Sequence, residues 1–532
     1  MALKTRARGA AAADRHEGLG EVAQVASSEI ELKLLASKAD LAVLREVPSV
    51  ARNARDAEAT RRLNSVYYDT PDCALFRNGL TLRVRRIGRR YVQTLKSTAV
   101  AGQPLVRGEW EAPLDGAMPD LARLPAPQAM ACREVIAGAA LAPTVTTKVR
   151  RRTRTVAYAG SLIEVAFDEG MVEANGRREG LYELELELKA GEAAALYGLG
   201  LDLLERAPLR LSTLSKAHRG YAMVLDRPPA WAKAASPAIT AGESMESAFA
   251  ALLGACHHHL VANHAAAEDG RDPEGVHQMR VALRRLRTLL SLFRKALPSP
   301  DIAPLAAEAK WLTRVLAPAR NWDVFIADLL PAPAAACGFD LSDLRVAAER
   351  HRAQGRAAVA EALADVRYTR FVLSLGSWIE HRGWRNGLPG EAIALLSEPC
   401  TGPAADILAR QHRRVLKRGA HFGRMTPEER HELRLALKKL RYAADFFAPL
   451  YANQRKTKPY LSALSRLQDV MGRYNDAATT RELLGGIGSE SMSPQFHEAI
   501  GAVVGWHMHE AAACERKLRR RWRGFRDIPT FW

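Results

Sequence analysis

The sequence predicts a protein of two parts: an α+β half built mainly of antiparallel strands, then an all-α half made of two copies of one helical unit. From Glu29 to Tyr221 apolar and polar residues alternate with period two, the pattern of strands with one face in a core. From about Ser244 the spacing becomes three and four, the pattern of amphipathic helices. Within that second stretch His277-Gln-Met-Arg-Val-Ala-Leu-Arg-Arg-Leu-Arg287 recurs as His431-Glu-Leu-Arg-Leu-Ala-Leu-Lys-Lys-Leu-Arg441. The same displacement pairs His258 with His412, and one residue less pairs Arg320-Asn-Trp-Asp323 with Arg473-Tyr-Asn-Asp476.

Taken in order, residues 1–27 read as a mobile tail: Arg6, Arg8 and Arg15 are present, but no apolar stretch of a secretion signal follows them. The first domain spans 28–225. Its strands are Glu29–Lys33, Leu80–Arg85, Tyr91–Lys96, Lys148–Arg154, Leu162–Asp168 and Leu181–Leu188, with helices near Ala36–Val47, Asp120–Ala140 and Glu192–Glu205. Residues 226–243, beginning Asp226-Arg-Pro-Pro-Ala-Trp231, follow neither period and read as a linker. The helical domain spans 244–527, with repeats over about 244–395 and 396–527. That repeat is too long for a solenoid and predicts two similar bundles facing each other across a pseudo-twofold.

At 532 residues the chain exceeds what one core supports, and 48% hydrophobic with 26% charged residues is a globular composition. No window approaches the roughly 20 apolar residues of a membrane span. The six cysteines form no C-x-x-C pair and no zinc spacing, which fits buried thiols in a reducing cytoplasm. A net charge of +18 favours polyanionic partners: nucleic acid, anionic lipid or polyphosphate.

The strands segregate their charges. Glu29, Glu31 and Lys33 share a face, as do Arg83 and Arg85, Glu164 and Asp168, and Glu183, Glu185 and Glu187. A charged face on one strand is the wet face of a half-exposed sheet. Wholly acidic strands beside wholly basic ones are different, because adjacent carboxylates repel unless a cation sits among them. Hard carboxylate oxygens suit Mg2+ or Mn2+, which bridge carboxylates to phosphate oxygens, and the basic strands would grip the phosphates. No Ser/His/Asp or Cys/His set accompanies these strands, and no G-x-x-x-x-G-K loop, so nucleophilic catalysis is not indicated.

The ordered set Glu29-x-Glu-x-Lys33, Asp69-Thr-Pro71, Leu82-x-Arg-x-Arg85, Leu95-Lys96, Arg107-x-Glu-x-Glu111, Glu183-x-Glu-x-Glu187 and Ser215-Lys216 resembles the CYTH, or triphosphate tunnel metalloenzyme, family over about Glu29 to Tyr221. The resemblance implies an antiparallel eight-stranded β-barrel whose bore binds a triphosphate and hydrolyses it with Mg2+ or Mn2+. It implies metal contacts from Glu29, Glu31, Glu185 and Glu187, with Glu183 and Asp168 nearby. Lys33, Arg83, Arg85, Lys96 and Lys216 would contact phosphate, together with Arg150 or Arg152, whose strand phase the run Arg150-Arg-Arg152 leaves open. Glu29, Glu31, Lys33, Glu185 and Glu187 form the expected catalytic set. Glu109 and Glu111 fit the bore in one strand phase and the opposite face in the other.

On the helices, His277, Arg280, Arg284 and Arg287 make one stripe, and Met279, Leu283, Leu286 and Leu290 the adjoining apolar one. His431, Arg434, Lys438 and Arg441 repeat the first, and Leu433, Leu437 and Leu440 the second. Stacked like charges are unfavourable without a counter-ion, and here they occur twice. The motif resembles the CHAD domain, which implies binding of inorganic polyphosphate, with Arg320 and Arg473 in the same basic lining. Asp323 and Asp476 then read as lining or as structural partners, and His258 and His412 as hydrogen-bonding residues of the bundle. Together these readings predict a cytoplasmic, metal-dependent inorganic triphosphatase fused to a polyphosphate-binding module, with association to polyphosphate granules as a corollary. The alternatives are a hydrolase or cyclase acting on ATP or thiamine triphosphate, a non-catalytic polyphosphate receptor, and a nucleic-acid module in the helical half, to which the basic cluster Arg516–Arg523 would contribute.

Overall fold

Nine strands form, the six that alternate among them, in a computed structural model that describes residues 30–97, 108–294, 296–336, 338, 340–451, 454–487 and 493–532. Glu29, Arg107 and the expected tail 1–27 lie outside the described residues. The strands are β1 (Glu31–Leu35), β2 (Ala59–Asp69), β3 (Leu80–Ile87), β4 (Arg90–Ser97), β5 (Glu109–Leu114), β6 (Ala142–Tyr158), β7 (Ser161–Ala174), β8 (Arg177–Ala190) and β9 (Arg210–Ser212). Their order is β5-β4-β3-β2-β6-β7-β8-β1-β9. Among the described residues the sheet therefore has nine strands and two free edges, where a closed barrel of eight was expected. The extra member is the three-residue β9, which pairs with the outer side of β1.

Two compact units divide the described chain, Arg62–Lys148 and Ile30–Arg61 with Val149–Trp532. In the first, α1 (Ala126–Ile136) covers one side of β3, β4 and β5: Leu82, Leu95 and Trp110 meet Ala129, Cys132 and Ile136. That fixes the opposite face as polar, because side chains alternate. The register Arg83↔Thr94↔Glu111 and Thr81↔Lys96↔Glu109 puts Arg83, Lys96, Glu109 and Glu111 on this face.

In the second unit, α2 (Ala193–Leu204) buries Leu196, Leu199 and Leu203 against Leu34, Val165, Phe167, Leu184 and Leu186 of β1, β7 and β8. The odd-numbered acids of β8 and the Glu31/Lys33 pair of β1 are thereby turned to the other face. After α3 (Lys216–Leu225), residues 226–240 form neither helix nor strand, but are tied down where Trp231 Nε1 donates to Asp272 at 3.0 Å and Ala232 N to Asn263 Oδ1 at 3.0 Å.

The principal helices that follow are α4 (Met245–Ala262), α5 (Pro273–Phe293), α6 (Ile302–Val324), α7 (Val366–Glu380), α8 (Thr401–Arg418), α9 (Pro427–Phe447), α10 (Gln454–Ile487) and α11 (Glu515–Arg526). Both expected apolar stripes are fully buried, and residues of both copies belong to one continuous core. Helix α7 packs directly on α2 of the sheet domain. Two glycines allow this approach: a Cβ on Gly376 would collide with the Tyr197 ring, and one on Gly200 would stand 3.0 Å from Leu32 and 3.3 Å from Leu373.

Candidate active site and anion groove

The polar face of β1, β7 and β8 is a grid fixed by register. One row holds Glu31, Glu187 and Glu164, the next Lys33, Glu185 and Ala166, the third Leu35, Glu183 and Asp168. Asp168, Glu183 and Glu185 are buried, and each offers an oxygen within 4.8 Å of the others. Three buried carboxylates are tolerable only if cations join them.

Those cations come from three elements, α3, β6 and β1. Ser215 caps α3, its Oγ accepting from His218 N at 3.3 Å, and so sets Lys216 at the first position of the helix. Lys216 Nζ lies 2.8 Å from Asp168 Oδ2, 2.7 Å from Glu183 Oε2 and 2.8 Å from Glu185 Oε1. One turn on, Arg219 donates to Glu183 Oε1 at 3.0 Å. From β6, Arg151 grips Asp168 at 2.8 and 2.6 Å and also bonds Glu185. Lys33 Nζ completes the set, 3.2 Å from Glu185 Oε1 and 2.7 Å from Glu31 Oε1. Burial works against every charge here, yet Asp168, Glu185 and Glu183 keep the Lys216 ammonium protonated well above its ordinary range. Lys216, Lys33 and Arg151 likewise outweigh burial at Glu185 and hold its carboxyl well below the usual carboxylate range.

Arg150 and Arg152 take the other face of β6. Both bond Glu169, Arg150 at 2.8 Å and Arg152 at 2.5 Å, and Arg152 also approaches Glu58 at 3.9 Å. The residue of the triplet that faces the acids is Arg151, which sequence reasoning passed over together with Arg219. Arg219 had a readable signal, its place three residues after Lys216 on one helix face. In the first unit, Arg83 donates to Thr94 Oγ1 at 2.9 Å, 3.6 Å from Glu111 Oε1; Lys96 pairs with Glu109 at 2.6 Å; and Arg85 donates to Ser65 Oγ at 3.1 Å. Glu109 and Glu111 thus share the basic face, while Trp110 is in the core.

Where a divalent ion fits follows from what already holds each oxygen. Every carboxylate oxygen of Asp168, Glu183 and Glu185 accepts from Lys or Arg, so an ion there would have to displace Lys216 or Arg151. The row Glu31, Glu187 and Glu164 is held more loosely, by Lys33 on Glu31 and by Lys189, 2.6 Å from Glu187 and 3.9 Å from Glu164. Among the described residues only Asp168, Glu183 and Glu185 bring three such oxygens within 4.8 Å of one another; the Glu31, Glu187 and Glu164 row offers hard oxygen donors of the kind Mg2+ or Mn2+ takes, on three adjacent strands.

On the helical domain, α5 and α9 pack together and bring the two copies of the basic motif into one groove. Burial, then Arg434, Arg284 and Arg280, press Lys438 down to about 7, against the pull of Asp476. Burial, Arg284 and Arg320 push Arg280 down to about 10. His277 is lowered by burial and by Arg320, Arg284 and Arg280, with only Glu274 opposing. These residues therefore share one electrostatic field. Arg280 donates to the Thr313 carbonyl at 3.1 Å, while Arg284 Nε is buried without a hydrogen-bond partner.

The other expected residues sit differently. Arg287 is lowered by burial and by Arg314, and Arg441 bonds Ser465 and Gln468 at 3.3 Å. His431 and Arg473 are exposed. Asp323 pairs with Arg356 at 2.9 Å, a structural role, and His412 Nδ1 meets Tyr460 Oη at 2.8 Å inside the core.

The sheet domain matches the CYTH domain over residues 27–221, and the helical domain matches the CHAD domain over residues 251–485. The chain belongs to these families, as a CYTH domain followed by a CHAD domain. It is 32% identical over 161 residues to an inorganic triphosphatase of Haemophilus influenzae, a match covering 30% of this chain and 45% of that protein. The chain thus spans about half the length of that relative. It is 33% identical to the CHAD domain from the plant Ricinus communis, over 57% of this chain and 98% of that one, with a TM-score of 0.50. A putative adenylyl cyclase from Hippeastrum aligns over 37% of this chain and 96% of its own, at 18% identity and a TM-score of 0.24. Among the described residues no helix is long and apolar enough to cross a membrane.

Proposed function

We propose that the CYTH domain hydrolyses inorganic triphosphate to diphosphate and phosphate with Mg2+ or Mn2+, and that the CHAD domain binds inorganic polyphosphate. One observation carries the first part: a single sheet face interleaves carboxylates on adjacent strands with Lys33, Arg151 and Lys216. Hard acids for a divalent ion and cations for phosphate oxygens are the two needs of phosphoryl transfer, which proceeds by positioning and neutralisation.

Glu31, Glu187 and Glu164, with Glu29 completing the motif, would hold the ion, which when bound neutralises phosphate charge and polarises a phosphoryl group. Lys33 and Arg151 are held by carboxylates that an incoming phosphate can replace as partners. Asp168 and Glu183 anchor Lys216 in place. Arg83, Arg85 and Lys96 keep the role of phosphate contacts that the family resemblance implies, while Arg150 and Arg152 hold Glu169 and support the strand. The similarity to the inorganic triphosphatase of Haemophilus influenzae supports the substrate class. In the CHAD domain the groove of His277, Arg280, Arg284, Arg320, Arg434 and Lys438 supplies donors and almost no acceptors, the chemistry of a phosphate polymer site. Arg287, His431, Arg441 and Arg473 are more distant contributors to the same basic surface. Buried cysteines agree with a reducing, cytoplasmic setting.

The test is phosphate release from tripolyphosphate and from ATP, wild type beside Glu185→Gln, with Mg2+ or Mn2+. Preferential release from tripolyphosphate, lost in the variant, supports the reading. Preference for ATP supports an organic triphosphate substrate, and binding without release a receptor.

A further inference from the structure

We propose that the helical domain carries a second anion site, formed by Lys439, Ser291, Arg294, Arg410 and Arg414, that takes the phosphates of a polyphosphate chain reaching beyond the first groove. The proposal rests on the polyphosphate reading above and adds a chain-length preference to it.

The geometry comes from three helical segments. Along α5 the basic stripe Arg280, Arg284, Arg287 continues at spacings of four and three to Ser291 and then Arg294, the residue that caps the helix C-terminus. Lys439, next to the groove's Lys438 on α9, turns the other way and donates from Nζ to Ser291 Oγ at 2.5 Å. Helix α8 packs along α9 and carries Arg410 and Arg414 one turn apart. Among the described residues no carboxylate is within ion-pair distance of these four cations, whereas nearby Arg418 on the same helix has Glu432. Burial, Arg414, Arg294 and Arg410 lower Lys439 to about 8, with no acid opposing. Three arginines close enough to act on Lys439, with no acid among them, are unfavourable neighbours unless an anion joins them.

The site is peculiar to the second repeat. The residue matching Lys439 in the first is Arg285, buried with its guanidinium 4.8 Å from the Phe446 ring centre. One additional site, on one side of the groove, is what a chain leaving that groove would meet. Its groups are donors, with Ser291 Oγ the sole acceptor, and no aromatic ring is among them to stack a base, which favours polyphosphate over nucleic acid.

The test uses the full chain at fixed salt, with long-chain polyphosphate as the probe and two variants of equal charge change. Arg414→Glu is expected to weaken binding by about tenfold, and Arg413→Glu, an equally exposed neighbour about 100° further round α8, by less than about twofold. Lys439→Gln should reproduce the loss, and tripolyphosphate hydrolysis should be unchanged in all three. Equal losses at 413 and 414, or none at 414, overturn the second site while the groove stands. Duplex DNA outcompeting polyphosphate on the wild type, through the same arginine, overturns the ligand. Wild-type protein that binds no polyphosphate overturns the underlying reading as well.

Discussion

Raising the pH from about 6 to about 9 should remove one positive charge from the α5/α9 groove and weaken its hold on polyphosphate. The perturbed group is Lys438. It faces Arg434 on its own helix, Arg280 and Arg284 on α5 and Asp476 on α10, and burial with these arginines presses it down to about 7. An unfolded lysine titrates at about 10.4. Between about pH 7 and about pH 10 the unfolded chain therefore holds the extra proton, so the fold gains stability from this residue as pH rises through that window. Its cost is complete below about pH 7 and absent above about pH 10.5. A bound polyanion favours the charged amine and reverses the balance. Binding at about pH 8 should then take up close to one proton, and affinity should fall by up to about tenfold per pH unit above pH 7. His277, lowered by burial and by Arg320, titrates beneath this window. Calorimetric titration in two buffers of different ionisation heat reads the proton directly. Lys438→Arg should reduce the buffer dependence, leaving the share of Lys439, and should hold affinity at about pH 9 above that of the wild type, because guanidinium stays charged. Equal heats in both buffers, or an affinity flat from about pH 6 to about pH 9, would refute the reasoning.

Two further outcomes follow from packing and ion pairs. Gly376→Ala should lower stability by about 1–3 kcal/mol in denaturant unfolding, since its methyl meets the Tyr197 ring, whereas Gly254→Ala, with open space around a helical position, should raise it by about 0.4–1 kcal/mol. Arg151→Met should raise KM for tripolyphosphate and cost about 3 kcal/mol or more of stability by stranding Asp168 and Glu185, while Arg150→Met, at a half-exposed pair with Glu169, should change stability by less than about 1 kcal/mol and leave KM alone.

Alternation made most of the sheet legible because helices α1 and α2 each cover one face and leave the other polar. β2 escaped notice because Tyr67, Tyr68 and Asp69 are consecutively buried, which erases the period-two signal. In β6 three consecutive arginines carry no phase information, so only the structure shows Arg151 among the acids. The apolar stripes of α5 and α9 were readable, and so was the kinship of the two repeats. How each repeat spends its matching positions was not: Arg285 stacks in the core while Lys439 joins a surface cluster, a difference set by tertiary neighbours. Sequence also showed which strands were acidic, but not that Lys216, Arg151 and Arg219 already satisfy the buried acids. That pairing separates the Glu31, Glu187 and Glu164 row from its neighbours.

The measurement that tests the central claim most directly is phosphate release from tripolyphosphate by chelator-stripped protein, before and after adding Mg2+ or Mn2+, for wild type and Glu187→Gln. Activity that is absent without metal, returns with it, and is lost in the variant at an unchanged unfolding temperature is the predicted result. Full activity without metal, or undiminished activity in Glu187→Gln, would contradict it.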